Sequence, residues 1–203
     1  VKATFFVLGW VAEHYTKLIS KAGLKELEDT RIYLRFKKEH KFTESPNEAR
    51  YTIFTPSDEE IITSTTSFNN LIGTKTVSYA NTPKNYIKEI SWARTFLRSP
   101  LDNKGGVWNY VKKLFPSLPD DHKKSPIIDY NQTKFITPLK TEDEPARHKI
   151  LDYIGDIALL GIRIKADVQL YLPGHRFTRK IVREIIEATS SNKVYISNPR
   201  PRV

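Results

Sequence analysis

Apolar positions recur at helical spacing across residues 144–161, where Ile150, Ile154, Ile157 and Ala158 share one face, and this predicts a helix with that face buried. Pro145 suits a first turn, Thr141 and Asp143 are candidate caps, and Gly161 fits the position just past the end. Residues 179–189 give a second helix, with Ile181, Val182, Ile185 and Ile186 on a core-facing stripe. Elsewhere the pattern favours strands. Residues 1–10 are apolar and rich in β-branched and aromatic side chains, and residues 51–54, 60–65 and 74–79 are strand-like, with breaks at Ser57-Asp58, Asn69-Asn70 and Gly73. Residues 162–172 alternate up to Pro173-Gly174-His175, and Trp92-Ala-Arg-Thr-Phe96 reads as a further strand. The expected class is α+β: a two-layer sandwich of mainly antiparallel sheet packed against helices.

The polar stretch 39–50, with its turn cluster Glu44-Ser-Pro-Asn-Glu48, divides this pattern. It suggests a first unit over 1–49, a second α+β domain over 50–189, and a frayed tail over 190–203.

With 203 residues, 39% hydrophobic and 28% charged, the chain can bury the core of one or two small domains. No run approaches the roughly 18 apolar residues of a membrane span, and the start lacks a signal-peptide arrangement. A soluble, cytoplasmic, monomeric protein is expected, with at most peripheral membrane contact. There is no cysteine, so any metal would rest on carboxylates and the five histidines, at positions 14, 40, 122, 148 and 175. Methionine is also absent, even at position 1, which suggests a fragment of a longer chain. The net charge of +10 favours anionic partners such as nucleotide phosphates. The basic residues are scattered among acidic ones without a nucleic-acid-binding module, so no nucleic-acid partner is expected.

Beside the buried stripe of the first helix, His148, Asp152 and Asp156 recur at i, i+4 and i+8 and share one edge. An imidazole and a carboxylate one turn apart can hold Zn²⁺ or a similar ion, with Asp156 orienting them from behind. On spacing alone, the commoner reading is a histidine salt-bridged to Asp152 on an ordinary amphipathic helix.

The full string Arg147-His148-Lys149-Ile150-Leu151-Asp152-Tyr153-Ile154-Gly155-Asp156, followed by Pro173-Gly174-His175, resembles the zinc-dependent UDP-3-O-acyl-N-acetylglucosamine deacetylases of lipid A synthesis. Ala93-Arg-Thr-Phe96, Phe54-Thr-Pro-Ser57 and Leu71-Ile-Gly73 match segments of that family in the same order, and Leu18-Ile-Ser-Lys-Ala-Gly23 with residues 32–38 resembles the end of its first domain. Residues 2–14 are instead similar to a strand-to-helix piece of nodulation-type polysaccharide deacetylases. The Asp-Asp pair and the His-x-x-x-His of those enzymes are absent, so no functional residue is carried over from them.

The first resemblance implies hydrolysis of the N-acetyl group of a UDP-linked, acylated glucosamine, with release of acetate. It implies that His148 and Asp152 hold Zn²⁺, that Thr95 stabilises the oxyanion, and that His175 protonates the departing amine. Asp156 would tune the charge around His175, and Lys149 and Phe96 would contact substrate. Residues 97–135 correspond to the region with the family's acyl-passage insert; Trp108, Tyr110 and Leu114 are candidate lining residues there. The family's first domain contributes a Glu-His pair, the general base and third zinc ligand. Glu13-His14 stands too close to the closing helix to match it, so a truncated first domain is expected. The alternative is a catalytically inactive relative that binds nucleotide sugar or an acyl ligand.

Overall fold

The computed structural model describes residues 12–23, 32–45, 49–68, 71–95, 97–98, 127–128, 135–190 and 194–197. Helix α1 (Glu13–Ala22) ends at Gly23 and precedes strand β1 (Tyr33–Phe36). Strands β2 (His40–Thr43), β3 (Tyr51–Thr55), β4 (Ile61–Ser67), β5 (Thr74–Ala80) and β10 (Asp167–Tyr171) build the central sheet, in the order β2-β3-β10-β4-β5. Every pairing in it is antiparallel except that of β10 with β4.

Period-two burial follows from the pleat. Ile62, Ser64 and Thr66 of β4 point inward, as do Thr52 and Phe54 of β3 and Val168 and Leu170 of β10. On the outer face the alternate positions are hydroxylic and pair across strands, Thr63 with Ser78 at 2.7 Å and Thr65 with Thr76 at 2.9 Å. The inner face, which carries Phe54, Ile62, Val168 and Leu170, must be covered, and helices do so. Helix α2 (Pro83–Asn85) leads into a π-helical turn, Tyr86–Ile90. Helix α3 (Glu144–Ile157) lies against β4 and β5, and α4 (His175–Ser190) packs on α3, adding Phe177, Ile181 and Ile185 to the same core. The molecule is an α+β fold, as the pattern of apolar positions indicates.

Three expectations change in detail. The buried face of α3 centres on Ala146, Ile150 and Tyr153, with Ile154 and Ile157 partly buried, whereas Ala158 is exposed. The reason is that the α-helix stops at Ile157 and tightens into a 3₁₀ turn, Ala158–Leu160, which rotates Ala158 outward. Residues 92–95 do not form the expected strand; their backbone groups bond to side chains of α3 instead, as described below. The single strand expected over 162–172 is two, β9 (Arg163–Lys165) and β10, separated by the buried Ala166, where the chain passes from one sheet to another.

That other sheet has the order β11-β1-β9, where β11 (Val194–Ser197) lies within the stretch expected as a tail. Strand β1 runs parallel to β9 and antiparallel to β11. The expected boundary near residue 50 falls between β2 and β3, which pair. Strands β6 (Leu97–Arg98), β7 (Ile127–Ile128) and β8 (Phe135–Thr137) form a third small sheet at the edges of the expected insert. Residues 1–10, Phe96, Trp108, Tyr110 and Leu114 lie outside the described residues.

Gly161 ends the 3₁₀ turn in the left-handed region at φ 68°, with nothing within 4 Å of where a Cβ would stand. Gly161→Ala therefore costs backbone strain without a clash, and it is expected to lower stability by about 1 kcal/mol in urea unfolding.

Candidate functional site

The site is built on α3. Pro145 and Glu144 open the helix, and the Glu144 carboxylate, fully buried, turns back toward residues 93–95. It accepts hydrogen bonds from the Arg94 backbone N at 3.0 Å, Arg94 Nε at 2.8 Å, Arg94 Nη2 at 3.0 Å and the Lys140 backbone N at 2.6 Å. Arg94 Nη2 also donates to the Pro138 carbonyl at 2.9 Å. This buried pair ties the 93–95 segment to the start of the helix. Burial pushes the Glu144 carboxyl up, but the Arg94 guanidinium and the backbone donors outweigh that and hold it below its ordinary value.

One turn further on, His148 is 2% exposed and its Nδ1 donates to the Ala93 carbonyl at 3.1 Å. A carbonyl only accepts, so Nδ1 carries the hydrogen. In the neutral ring the Nε2 lone pair then faces Asp152 Oδ1 at 3.2 Å, so a proton or a metal ion is needed between two acceptors. An imidazole whose far nitrogen is fixed by a carbonyl, beside a carboxylate, is the donor chemistry of a histidine-carboxylate metal site. His148 and Asp152 fit a metal in this respect. Among the described residues, however, no group of three or more His, Asp or Glu side chains is arranged to hold one.

Asp152 is the hub. Its Oδ1 also lies 3.6 Å from His175 Nε2, and its Oδ2 accepts from Lys149 Nζ at 2.7 Å. Burial alone would raise its pKa, yet His148 and Lys149 together hold the carboxyl far below the carboxylate range. Asp156, one turn further along α3, meets His175 Nδ1 at 2.8 Å. Burial keeps the Asp156 carboxyl above its ordinary value, against the opposing pull of His175.

Positions 148, 152, 156 and 175 thus converge, although His175 comes from the start of another helix. It is presented by the Pro173-Gly174 turn, where Thr178 N and Oγ1 bond back to the Gly174 carbonyl at 2.9 and 3.2 Å. This capping starts α4 at His175, four residues before the start expected at residue 179. Lys149 is tied to Asp152, Thr95 is partly buried two residues beyond Ala93, and Phe96 falls outside the described residues. His14 is exposed on α1 with its ring against Tyr15, and Glu13 pairs with Lys17 at 2.7 Å. The Arg94–Glu144 pair escaped the sequence reading. Its only trace there was a glutamate beside Pro145 at a helix start and an arginine inside Ala93-Arg-Thr-Phe96.

Comparison with known proteins shows which family the chain resembles. The family model described as UDP-3-O-acyl N-acetylglycosamine deacetylase matches residues 8–187. A UDP-3-O-acyl-N-acetylglucosamine deacetylase of Campylobacter lari is 30% identical over 184 residues, covering 89% of this chain and 58% of the relative. One of Campylobacter hominis is 30% identical over 176 residues, covering 85% of this chain and 56% of the relative. The bifunctional enzyme LpxC/FabZ of Porphyromonas gingivalis is 27% identical over 222 residues, covering 97% of this chain and 47% of the relative. The chain therefore spans about half the length of the curated relatives it matches.

Proposed function

Since the chain belongs to the UDP-3-O-acyl N-acetylglycosamine deacetylase family, we propose that it carries the second-domain half of a zinc-dependent amidohydrolase. The reaction is hydrolysis of the N-acetyl group of UDP-3-O-acyl-N-acetylglucosamine: water enters, acetate leaves, and the sugar keeps a free amine. The observation that carries this reading is the convergence of His148 Nε2 and His175 Nε2 on a single oxygen, Asp152 Oδ1, at 3.2 and 3.6 Å.

His148 and Asp152 would hold the metal. Bound there, it supplies a Lewis acid that acidifies water and polarises an amide carbonyl. The remaining work falls to side chains. His175, protonated, has Nδ1 committed to Asp156 and would turn its Nε2 proton from Asp152 Oδ1, 3.6 Å away, to the amine nitrogen as the C–N bond breaks. The carboxylate of Asp156 stabilises the imidazolium and fixes its orientation, and the half-exposed ring can meet a substrate arriving from solvent. Thr95 Oγ1 would donate to the developing oxyanion. Lys149 would keep Asp152 ionised and present a cation to the substrate. The proposed setting is cytoplasmic; no helix among the described residues is long and apolar enough to cross a membrane.

The absence of a third ligand among the described residues favours a second reading: this chain alone binds nucleotide sugar without turning it over. The test is to load the purified chain with zinc and follow acetate release and substrate binding together. Zinc binding with acetate release at a slow but measurable rate supports the enzyme. Substrate binding with no release, at any zinc concentration, selects the second reading.

A further inference from the structure

Five arginines elsewhere in the described structure, Arg35, Arg50, Arg94, Arg147 and Arg163, each meet a carboxylate at 2.6 to 2.9 Å. Arg176, Arg179 and Arg183 form no ion pair within 4 Å among the described residues, although Arg179 is attracted to Asp156, and all three line one groove of about 420 Å³ together with Leu159 and Val182. They stand at i, i+3 and i+7 of α4, on one exposed face. The nearby carboxylate of Glu184 is engaged by Lys180 at 3.5 Å, and Arg179 Nε donates to the His175 carbonyl of its own helix at 3.2 Å. Three guanidiniums on one helix face raise the local positive potential, with only Arg179 drawn to a carboxylate of the described residues, that of Asp156, and each presents a fork that matches a phosphate. Apolar surface flanks them: Leu159 is 63% exposed and Ile186, one turn beyond Val182, is 55% exposed.

We propose that this face of α4 docks on an anionic bilayer, with Arg176, Arg179 and Arg183 taking the phosphate of lipid headgroups and Leu159 and Ile186 entering the interfacial layer. Charge selects a lipid surface over a neutral one, and the interleaved apolar side chains select it over a free phosphate, which would leave them in water. The chain's net charge of +10 adds long-range attraction. The inference stands apart from the deacetylase reading, because it needs neither metal nor substrate.

The full chain is co-sedimented with phosphatidylcholine vesicles with and without phosphatidylglycerol. Each basic residue near such a surface is worth roughly fivefold, so the Arg176→Gln, Arg179→Gln, Arg183→Gln triple variant is expected to bind anionic vesicles about 100-fold more weakly. A control carrying Lys37→Gln, Lys38→Gln and Lys84→Gln loses the same charge from other exposed positions and is expected to lose only a few-fold. Unchanged melting temperatures confirm that both variants fold. Leu159→Ser should weaken vesicle binding while leaving any binding of inorganic phosphate unaltered. Equal losses in triple and control would reduce the effect to bulk charge and overturn the proposal. So would tight binding of inorganic phosphate that abolishes vesicle binding, which would make the groove a soluble-phosphate site.

Discussion

Asp152→Ala is expected to lower zinc affinity by at least about 100-fold, measured by competition with a chromogenic chelator. Asp152 offers the carboxylate that both candidate histidines address, and its two oxygens are shared among His148, Lys149 and His175. Truncation removes a proposed ligand and also leaves the ammonium of Lys149 beside a buried imidazole, which repels an incoming cation. His148→Ala should fall as far, because it removes the nitrogen whose lone pair is aimed at Asp152 by the bond of Nδ1 to the Ala93 carbonyl. Asp156→Asn is the internal comparison: it touches His175 and not His148, so zinc affinity should drop by less than in either ligand variant. Zinc bound equally well by the Asp152 and His148 variants would remove the metal site from α3 altogether.

Breaking the Arg94–Glu144 pair should be the most destabilising change of charge in the described structure, at about 3–5 kcal/mol for Arg94→Ala or Glu144→Ala in urea unfolding. Either truncation strands an opposite charge in the core, and Glu144→Ala also frees two backbone donors, those of Arg94 and Lys140. The loss should reach the site. Ala93, whose carbonyl fixes the His148 ring, precedes Arg94, so nitrogen NMR shifts of His148 should lose the Nδ1–H pattern even in variants that remain folded. The pH dependence has a definite sign. The folded-state pKa of Glu144 is depressed, so its contribution is complete above the ordinary glutamate value and disappears as pH falls through the folded one. Stability should therefore decline below about pH 4, and Glu144→Gln should flatten that limb while lowering the plateau.

The helices were legible because their signals are local. Gly161 ends the 3₁₀ turn that follows α3, at the stop that the pattern marks, and spacing alone set His148, Asp152 and Asp156 on one edge. The strands β3, β4 and β5 were legible for the same reason, with alternation and turn residues lying side by side. What escaped depends on distant partners. Residues 92–95 have strand-like composition, but their hydrogen bonds go to Glu144 and His148, some 50 positions away. The change of sheet at Ala166 and the pairing of β11 with β1 are likewise tertiary decisions that no window of ten residues contains. His175 needed a resemblance to be singled out, since its carboxylate partners sit on another helix.

Strand β1 has consequences for the order of events during synthesis. Both of its neighbours, β9 and β11, lie far downstream, so when β1 leaves the ribosome neither edge has a partner. It gains its first partner when β9 emerges and its second only with Val194–Ser197, whereas the hairpin of β4 and β5 can close early from adjacent segments. During that interval Leu34 and Phe36, buried in the finished core, remain open to chaperones and to other nascent chains. The last described strand thus acts as a latch, and a ribosome stalled before it would hold a chain whose candidate-site helices exist but whose second sheet leaves one edge of β1 open.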